Sequence, residues 1–181
     1  MKNKNLQHIF STINHAMEKV ESTILTVAIL IMMCNSCMNA AGRYFFGHSL
    51  YFSEELNRFL IIAITFIGLA YAVRLGRNIR MTALYDLLSV KGKKIATMII
   101  AVTTAALMFY LTYLALIYVV EIKQLNRHSP SLQFPVYIVY SIIPVGFFMA
   151  GLQYLLSFLM NLTHPEIYVS ADLIESEDTP F

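Results

Sequence analysis

The sequence predicts an all-α integral membrane protein with four transmembrane helices and an N-terminal interfacial amphipathic helix. Hydrophobic residues make up 57% of the 181 residues and charged residues only 13%, whereas a soluble domain is about 45–50% apolar and about 25% charged. Asp, Glu, Lys and Arg are also absent from four long stretches of the chain. A hydrocarbon core of roughly 30 Å needs about 20 helical residues. Four such stretches leave too little polar chain to wrap them as buried helices of a soluble protein.

The first element is the N-terminal tail, residues 1–21. Its apolar residues recur at helical spacing from Leu6 to Val20, which is typical of an amphipathic helix lying in the headgroup plane. A first span follows at about 22–42. It is longer than the apolar region of a cleaved signal peptide, so we expect it to stay on the protein.

The second span is the most informative, because its charge-free stretch, 59–73, has only 15 residues. To cross the bilayer, the helix must begin near residue 51, which brings Glu54, Glu55 and Arg58 to the membrane edge. Charges there are costly unless they are paired or covered by protein or water. Either carboxylate can reach Arg58 along one helical face. Two interpretations stay open: an interfacial ion pair at a helix start, or a cluster that docks another helix or subunit.

The third and fourth spans are predicted at about 95–120 and 134–162, which completes a membrane domain over 22–162. An acidic tail, 163–181, follows. Pro144 lies within the last span, where a kink is tolerated. Small residues four apart predict close helix contacts; they are Ala101 with Ala105 and Gly146 with Ala150.

The orientation follows from the distribution of Lys and Arg. Nine of the 13 lie in the N-terminal tail and second loop, and four lie in the first and third loops. By the positive-inside rule, both termini are predicted to be cytoplasmic. The second loop carries the basic residues expected to anchor this side to lipid headgroups: Arg74, Arg77, Arg80, Lys91, Lys93 and Lys94.

Polar residues form two stripes inside the spans. Asn35 and Asn39 precede Arg43 at intervals of four on the first span, and Gln153 and Ser157 have the same interval on the last. Because polar stripes are costly against lipid, both should face protein. That protein is either the chain's own bundle or a second subunit.

Nothing in the sequence indicates an enzyme, a cofactor site or a metal site. Cys34 and Cys37 form a C-x-x-C in the middle of a span, so we interpret them as small apolar residues. A haem-binding anchor needs histidines within its spans, and the five histidines fall in tails, loops and span ends. A coupled carrier needs ionisable groups near the midplane and commonly has an internal repeat, which this chain lacks. The net charge of +2 is too small to suggest nucleic-acid binding.

Three motifs carry a family resemblance. Residues 41–58 read Ala-Gly-Arg-Tyr-Phe-Phe-Gly-His-Ser-Leu-Tyr-Phe-Ser-Glu-Glu-Leu-Asn-Arg, 65–70 read Thr-Phe-Ile-Gly-Leu-Ala, and 131–135 read Ser-Leu-Gln-Phe-Pro, with Tyr140 and Pro144-Val145-Gly146 after them. In this order they resemble the small membrane subunit of tripartite ATP-independent periplasmic (TRAP) transporters, the DctQ-like and SiaQ-like four-span type. The family often has Trp before the Glu pair, where this chain has Phe52. The family's His-Ile after the second helix is Asn78-Ile79 here.

The resemblance implies an accessory scaffold subunit in the bacterial inner membrane. Its partners would be a large multi-span subunit, in a 1:1 heterodimer, and a periplasmic substrate-binding protein. The large subunit would hold the substrate and the coupling sodium, and the imported substrates would be organic acid anions such as sialic acid or C4-dicarboxylates. Under this hypothesis Arg43, Glu54, Glu55 and Arg58 stabilise the subunit interface on the periplasmic side. A membrane anchor or assembly subunit of another complex and a stand-alone small carrier remain alternatives.

Overall fold

The computed structural model describes residues 2–75 and 90–163. Within these two ranges the chain forms five helices joined by short turns and loops. In chain order they are α1 (Lys2–Phe46), α2 (Ser53–Arg74), α3 (Val90–Gln124), α4 (Val136–Tyr140) and α5 (Ile142–Thr163).

Four segments are long and apolar enough to cross a membrane: Met17–Phe46, Ser53–Arg74, Gly92–Gln124 and Val136–Leu162. The second has 22 residues, or about 33 Å of helix at about 1.5 Å per residue. It begins at Ser53, so Glu54, Glu55 and Arg58 lie in its first two turns. The prediction of an all-α protein with four membrane-crossing helices is confirmed.

The N-terminal segment differs from the prediction in one respect. It is helical, but it continues into the first span as part of the 45-residue α1 instead of forming a separate helix. The sequence has no glycine or proline before Gly42, so nothing in the chain interrupts the hydrogen-bond ladder at the membrane boundary. Gly47, with φ 76°, follows the end of α1 in the left-handed conformation typical of a helix C-terminus.

The four long helices lie in a row in the order α1, α2, α5, α3. Among the described helices α1 packs only on α2, and α3 packs on α5 and the short α4. In the apolar stretch of 18 residues that defines each span, only 11–33% of the residues are buried. The described helices therefore form a row, and within residues 2–75 and 90–163 they enclose no central core.

Small residues let α5 approach both of its neighbours. A Cβ atom on Gly146 would lie 2.5 Å from the carbonyl oxygen of Phe66 on α2, and one on Gly151 would lie 3.3 Å from Cβ of Met108 on α3. Ala150 is fully buried. The close contacts predicted for Gly146 and Ala150 are thus present, and Ala101 and Ala105 are buried on α3.

The last span is divided by Pro144. A proline has no N–H to donate to the carbonyl four residues earlier, which here belongs to Tyr140, and its ring crowds that carbonyl. Accordingly α4 ends at Tyr140 and α5 begins at Ile142. Pro144 then sits in the first turn of α5, where no helical N–H is needed.

Candidate partner-binding site

In the described part of the chain, the polar contacts between helices are concentrated near the two opposite ends of the long helices, along their axes. One end contains the turn between α1 and α2, residues 47–52, and the loop between α3 and α4, residues 125–135; we call it the loop end. At the other end Glu21 of α1 meets Arg74 of α2; we call it the ion-pair end.

At the loop end, amide side chains of α1 hold the start of α2. Asn35 Nδ2 donates to the carbonyl oxygen of Ser53 at 3.0 Å and to Oδ1 of Asn57 at 2.8 Å. Asn57 Nδ2 in turn donates to Oγ of Ser36 at 3.1 Å. Because Asn35 and Ser53 are buried, these bonds satisfy groups that would be costly if left unpaired in a membrane.

Asn39 holds the turn before α2. Its Oδ1 accepts a hydrogen bond from the backbone N–H of Leu50 at 2.8 Å. The stripe of Asn35 and Asn39 therefore faces protein, and that protein is the chain's own second helix and the turn that leads into it.

Glu55 fastens the loop between α3 and α4 onto α2. Its carboxylate accepts hydrogen bonds from the hydroxyl of Ser129, from the backbone N–H of Ser131 at 3.1 and 3.2 Å, and from that of Leu132 at 3.2 Å. The hydroxyl of Ser131 donates to the carbonyl oxygen of Tyr51 at 3.2 Å. A single carboxylate thus satisfies two backbone donors and one side-chain donor of a loop more than 70 residues away in sequence.

The ion pairs expected within α2 do not form. Glu55 turns to the loop, and in the described part of the chain no ion pair within 4.0 Å joins Arg58 to either Glu54 or Glu55. The physical reason is that the loop offers fixed donors, whereas the exposed Arg58 would have to give up side-chain freedom for a solvated contact. Arg43, Glu54 and Arg58 are all exposed.

A polar cleft of about 570 Å³ lies between α1 and α2 near the loop end. Its lining combines two amides, two hydroxyls and one guanidinium with an alanine: Ser36, Asn39, Ala40, Arg43, Tyr44 and Asn57. Every one of these residues belongs to a segment that could cross the membrane. The cleft is therefore a polar surface on the membrane-spanning part of the protein.

Aromatic side chains surround this end. Tyr44, Phe45, Phe46 and Tyr51 are 74–88% exposed. Tyr and Trp are enriched where a membrane meets water, so Tyr44 and Tyr51 indicate a membrane boundary near the loop end.

Among the described residues, the ion-pair end contains a buried salt bridge between Arg74 and Glu21. Arg74 Nε donates to Oε2 of Glu21 at 3.0 Å and its Nη2 donates to Oε1 at 2.9 Å; Met17 Sδ lies 3.9 Å from Nη2. Arg74 is only 4% exposed. The guanidinium predicted to contact lipid headgroups is instead turned inward, because α1 supplies a carboxylate that forms two charge-assisted bonds with it.

The remaining predicted residues are distributed as follows. Gln153 and Ser157 are buried on α5, where Asn161 Nδ2 donates to the carbonyl oxygen of Ser157 at 2.8 Å. Lys93 and Lys94 are half-buried near the start of α3. Arg77, Arg80, the side chain of Lys91 and the tail from residue 164 lie outside the described residues.

The described residues include no group of three or more His, Cys, Asp or Glu that could hold a metal ion. Cys34 and Cys37 are free and exposed on α1. Sequence reasoning missed Glu21, Asn57 and Ser129. Asn57 could have been found, because it stands beside Arg58 on the polar edge of the short second span.

Comparison with known proteins identifies similar chains. The protein-family model described as the DctQ component of tripartite ATP-independent periplasmic transporters matches residues 32–164. The ectoine TRAP transporter small permease protein TeaB of Halomonas elongata is 41% identical over 170 residues, which are 94% of this chain and 88% of that protein. The isethionate TRAP transporter permease protein DctMQ of Oleidesulfovibrio alaskensis is 28% identical over 103 residues, 57% of this chain and 16% of that protein. The range matched by the family model contains the cleft and the loop end.

Proposed function

Since the chain belongs to the DctQ family of tripartite ATP-independent periplasmic transporters, we propose that it is the scaffold subunit of such a transporter. It is a small permease component and not an enzyme, and it crosses the inner membrane several times. As a scaffold it would stay fixed in the bilayer beside a large permease subunit that moves the substrate.

The observation that carries this proposal is the row of helices. A carrier surrounds its substrate and coupling ion near the bilayer midplane with helices that rearrange around them. Here the edge helices α1 and α3 each contact one other long helix, and few residues of each span are buried. Such a row presents broad faces to a neighbour, which suits a subunit that widens another protein's scaffold.

The proposed partners are a large multi-span subunit, in a 1:1 heterodimer, and a periplasmic binding protein. Support for the large subunit comes from the relative DctMQ, of whose length the chain matches only 16%. The substrate and coupling sodium would be held by that subunit. The exposed Arg43, Glu54 and Arg58 at the loop end support an interface there, and Glu55 would contribute by holding the loop.

The transported substrate would be a small organic solute with an acidic group. Organic acid anions such as sialic acid or C4-dicarboxylates fit this class, as do ectoine, which carries a carboxylate, and isethionate, which carries a sulfonate. Ectoine is the first compound to test, because the relative that aligns with 94% of this chain is named for it.

Reconstitution in liposomes tests the proposal. Uptake of labelled ectoine, succinate and sialic acid is measured with this chain, its large subunit, the binding protein and an inward sodium gradient. We expect uptake only when all four are present. Uptake by this chain alone would overturn the scaffold proposal, and so would full uptake without it.

We also propose that both termini are cytoplasmic, which puts the loop end in the periplasm. With Cys34 and Cys37 replaced by Ala, a single cysteine at His48 should react with a membrane-impermeant maleimide in intact spheroplasts. A cysteine at Lys2 should react only after lysis. The reverse pattern would contradict this orientation.

A further inference from the structure

We propose that the polar cleft between α1 and α2 receives a carboxylate side chain from a membrane helix of the large permease subunit. This inference rests on the proposed function and adds the location of the contact, its chemistry and the residues that make it. Three properties of the cleft support this contact: its polar groups, its unused donors and its depth.

The polar groups of the cleft favour contact with a protein partner over contact with lipid. Ser36, Asn39 and Asn57 bring a hydroxyl and two amides to a surface of the membrane-spanning segments, and Arg43 adds a positive charge. Next to lipid tails, unpaired amides and hydroxyls are costly, and a charge is costly unless it is paired or reaches water. A protein partner that supplies matching polar atoms removes this cost.

The unused groups show what the partner must supply. Oδ1 of Asn39 is engaged by the N–H of Leu50, which leaves the two N–H donors of its amide directed to no acceptor in the described part of the chain. Arg43 is exposed and forms no ion pair there. The guanidinium has five donors and no acceptor. A surface of donors around one cation is complementary to a carboxylate, which forms paired bonds with an arginine.

The depth favours a protein side chain over a lipid phosphate. Asn39 lies seven residues before the end of α1 at Phe46, or about 10 Å along the helix axis. The exposed aromatic residues at Phe46 and Tyr51 mark the headgroup level. A phosphate stays at that level and would reach Arg43 at most, whereas a side chain on a neighbouring transmembrane helix can enter the cleft and reach Asn39 as well.

Two substitutions test the contact in the assembled complex. Arg43→Glu reverses the charge. Asn39→Asp keeps an acceptor for the N–H of Leu50 but replaces the free donors with a carboxylate that repels another. Arg127→Glu is the matched control, because it makes the same charge change on an exposed residue of the loop end outside the cleft.

The measurement is copurification with an affinity-tagged large subunit in mild detergent. We expect both cleft variants to weaken association at least about tenfold. The free energy lost when a buried charge contact is broken exceeds the free energy that corresponds to a tenfold change in affinity. Arg127→Glu should behave as the unmodified chain does. Each variant is purified alone first, and its helix content and thermal midpoint are compared with the unmodified chain to separate lost binding from lost folding.

Two further results identify the source of the carboxylate. Replacing acidic residues in the membrane helices of the large subunit with Lys, one at a time, should give one variant that restores association with Arg43→Glu. A photoreactive residue at Ala40 should cross-link to the large subunit. Cross-linking to lipid alone would overturn the proposal, as would normal association of both cleft variants. If the unmodified chain does not copurify with the large subunit, the proposed function itself fails.

Discussion

The loop end and the ion-pair end both hold α1 against α2, but they do so with different chemistry. In the described part of the chain, the ion-pair end contains a charged contact in which Arg74 and Glu21 share two hydrogen bonds in a buried position. The loop end uses neutral amides together with a single carboxylate that binds a loop. The ion-pair end therefore holds two helices together, whereas the loop end also positions a turn and a loop at the surface. In the described part of the chain, the loop end leaves donors of Asn39 and Arg43 free for a partner.

The largest effect is expected from removing half of the ion pair. Arg74→Met leaves the carboxylate of Glu21 buried without its partner, which typically costs about 3–5 kcal/mol. The free energy of unfolding of the purified chain in detergent should fall by about 3–5 kcal/mol. The matched double variant, Glu21→Leu with Arg74→Met, should recover most of the loss because no lone charge remains.

The same two variants also test whether the ion-pair end depends on charge pairing. If the double variant is as unstable as Arg74→Met, then the contact stabilises through packing and not through charge pairing. The two ends would then differ less than their hydrogen bonds suggest.

The sequence predicts the helices that carry this contrast, but it does not predict contacts between residues that are far apart in the chain. Charge-free stretches predict the four membrane-crossing helices, and the shortness of one stretch predicts that Glu54, Glu55 and Arg58 belong to α2. The sequence shows that a buried charge is costly but does not name its partner. Glu21 and Arg74 are 53 residues apart, and Glu55 and Ser129 are 74 apart. Both pairings follow from the order of helices in the row, which the hydrophobic pattern leaves open.

An intermediate effect is expected at the loop. Glu55→Gln removes the charge that strengthens the bonds from Ser129, Ser131 and Leu132, and hydrogen bonds to a charged group contribute about 1.5–3 kcal/mol. Amide hydrogen exchange at Ser131 and Leu132 should therefore accelerate at least about tenfold, since each 1.4 kcal/mol is a factor of ten.

Glu54→Gln is the control for this change. Glu54 and Glu55 both lie in the first turn of α2, so both interact with the positive end of the helix dipole, but Glu54 is exposed and holds no loop. Exchange at the two amides should stay unchanged in Glu54→Gln. Equal acceleration in both variants would mean that the dipole, and not the contact with the loop, orders this segment.

The smallest effect is expected from the amide pair, and it sharpens the comparison most directly. A double-mutant cycle with Asn35→Ala and Asn57→Ala isolates the coupling free energy across their hydrogen bond. Hydrogen bonds between membrane helices average about 0.6 kcal/mol in such cycles, because each amide also finds other partners when the helices separate. The same cycle on Glu21 and Arg74 should give several times that value, since charge-assisted hydrogen bonds between two oppositely charged groups are stronger than a bond between neutral amides. Equal coupling energies at the two ends would contradict the distinction between a fastening contact and an organised surface. A small coupling at the loop end would instead mean that its amides are retained chiefly to place the turn and the cleft.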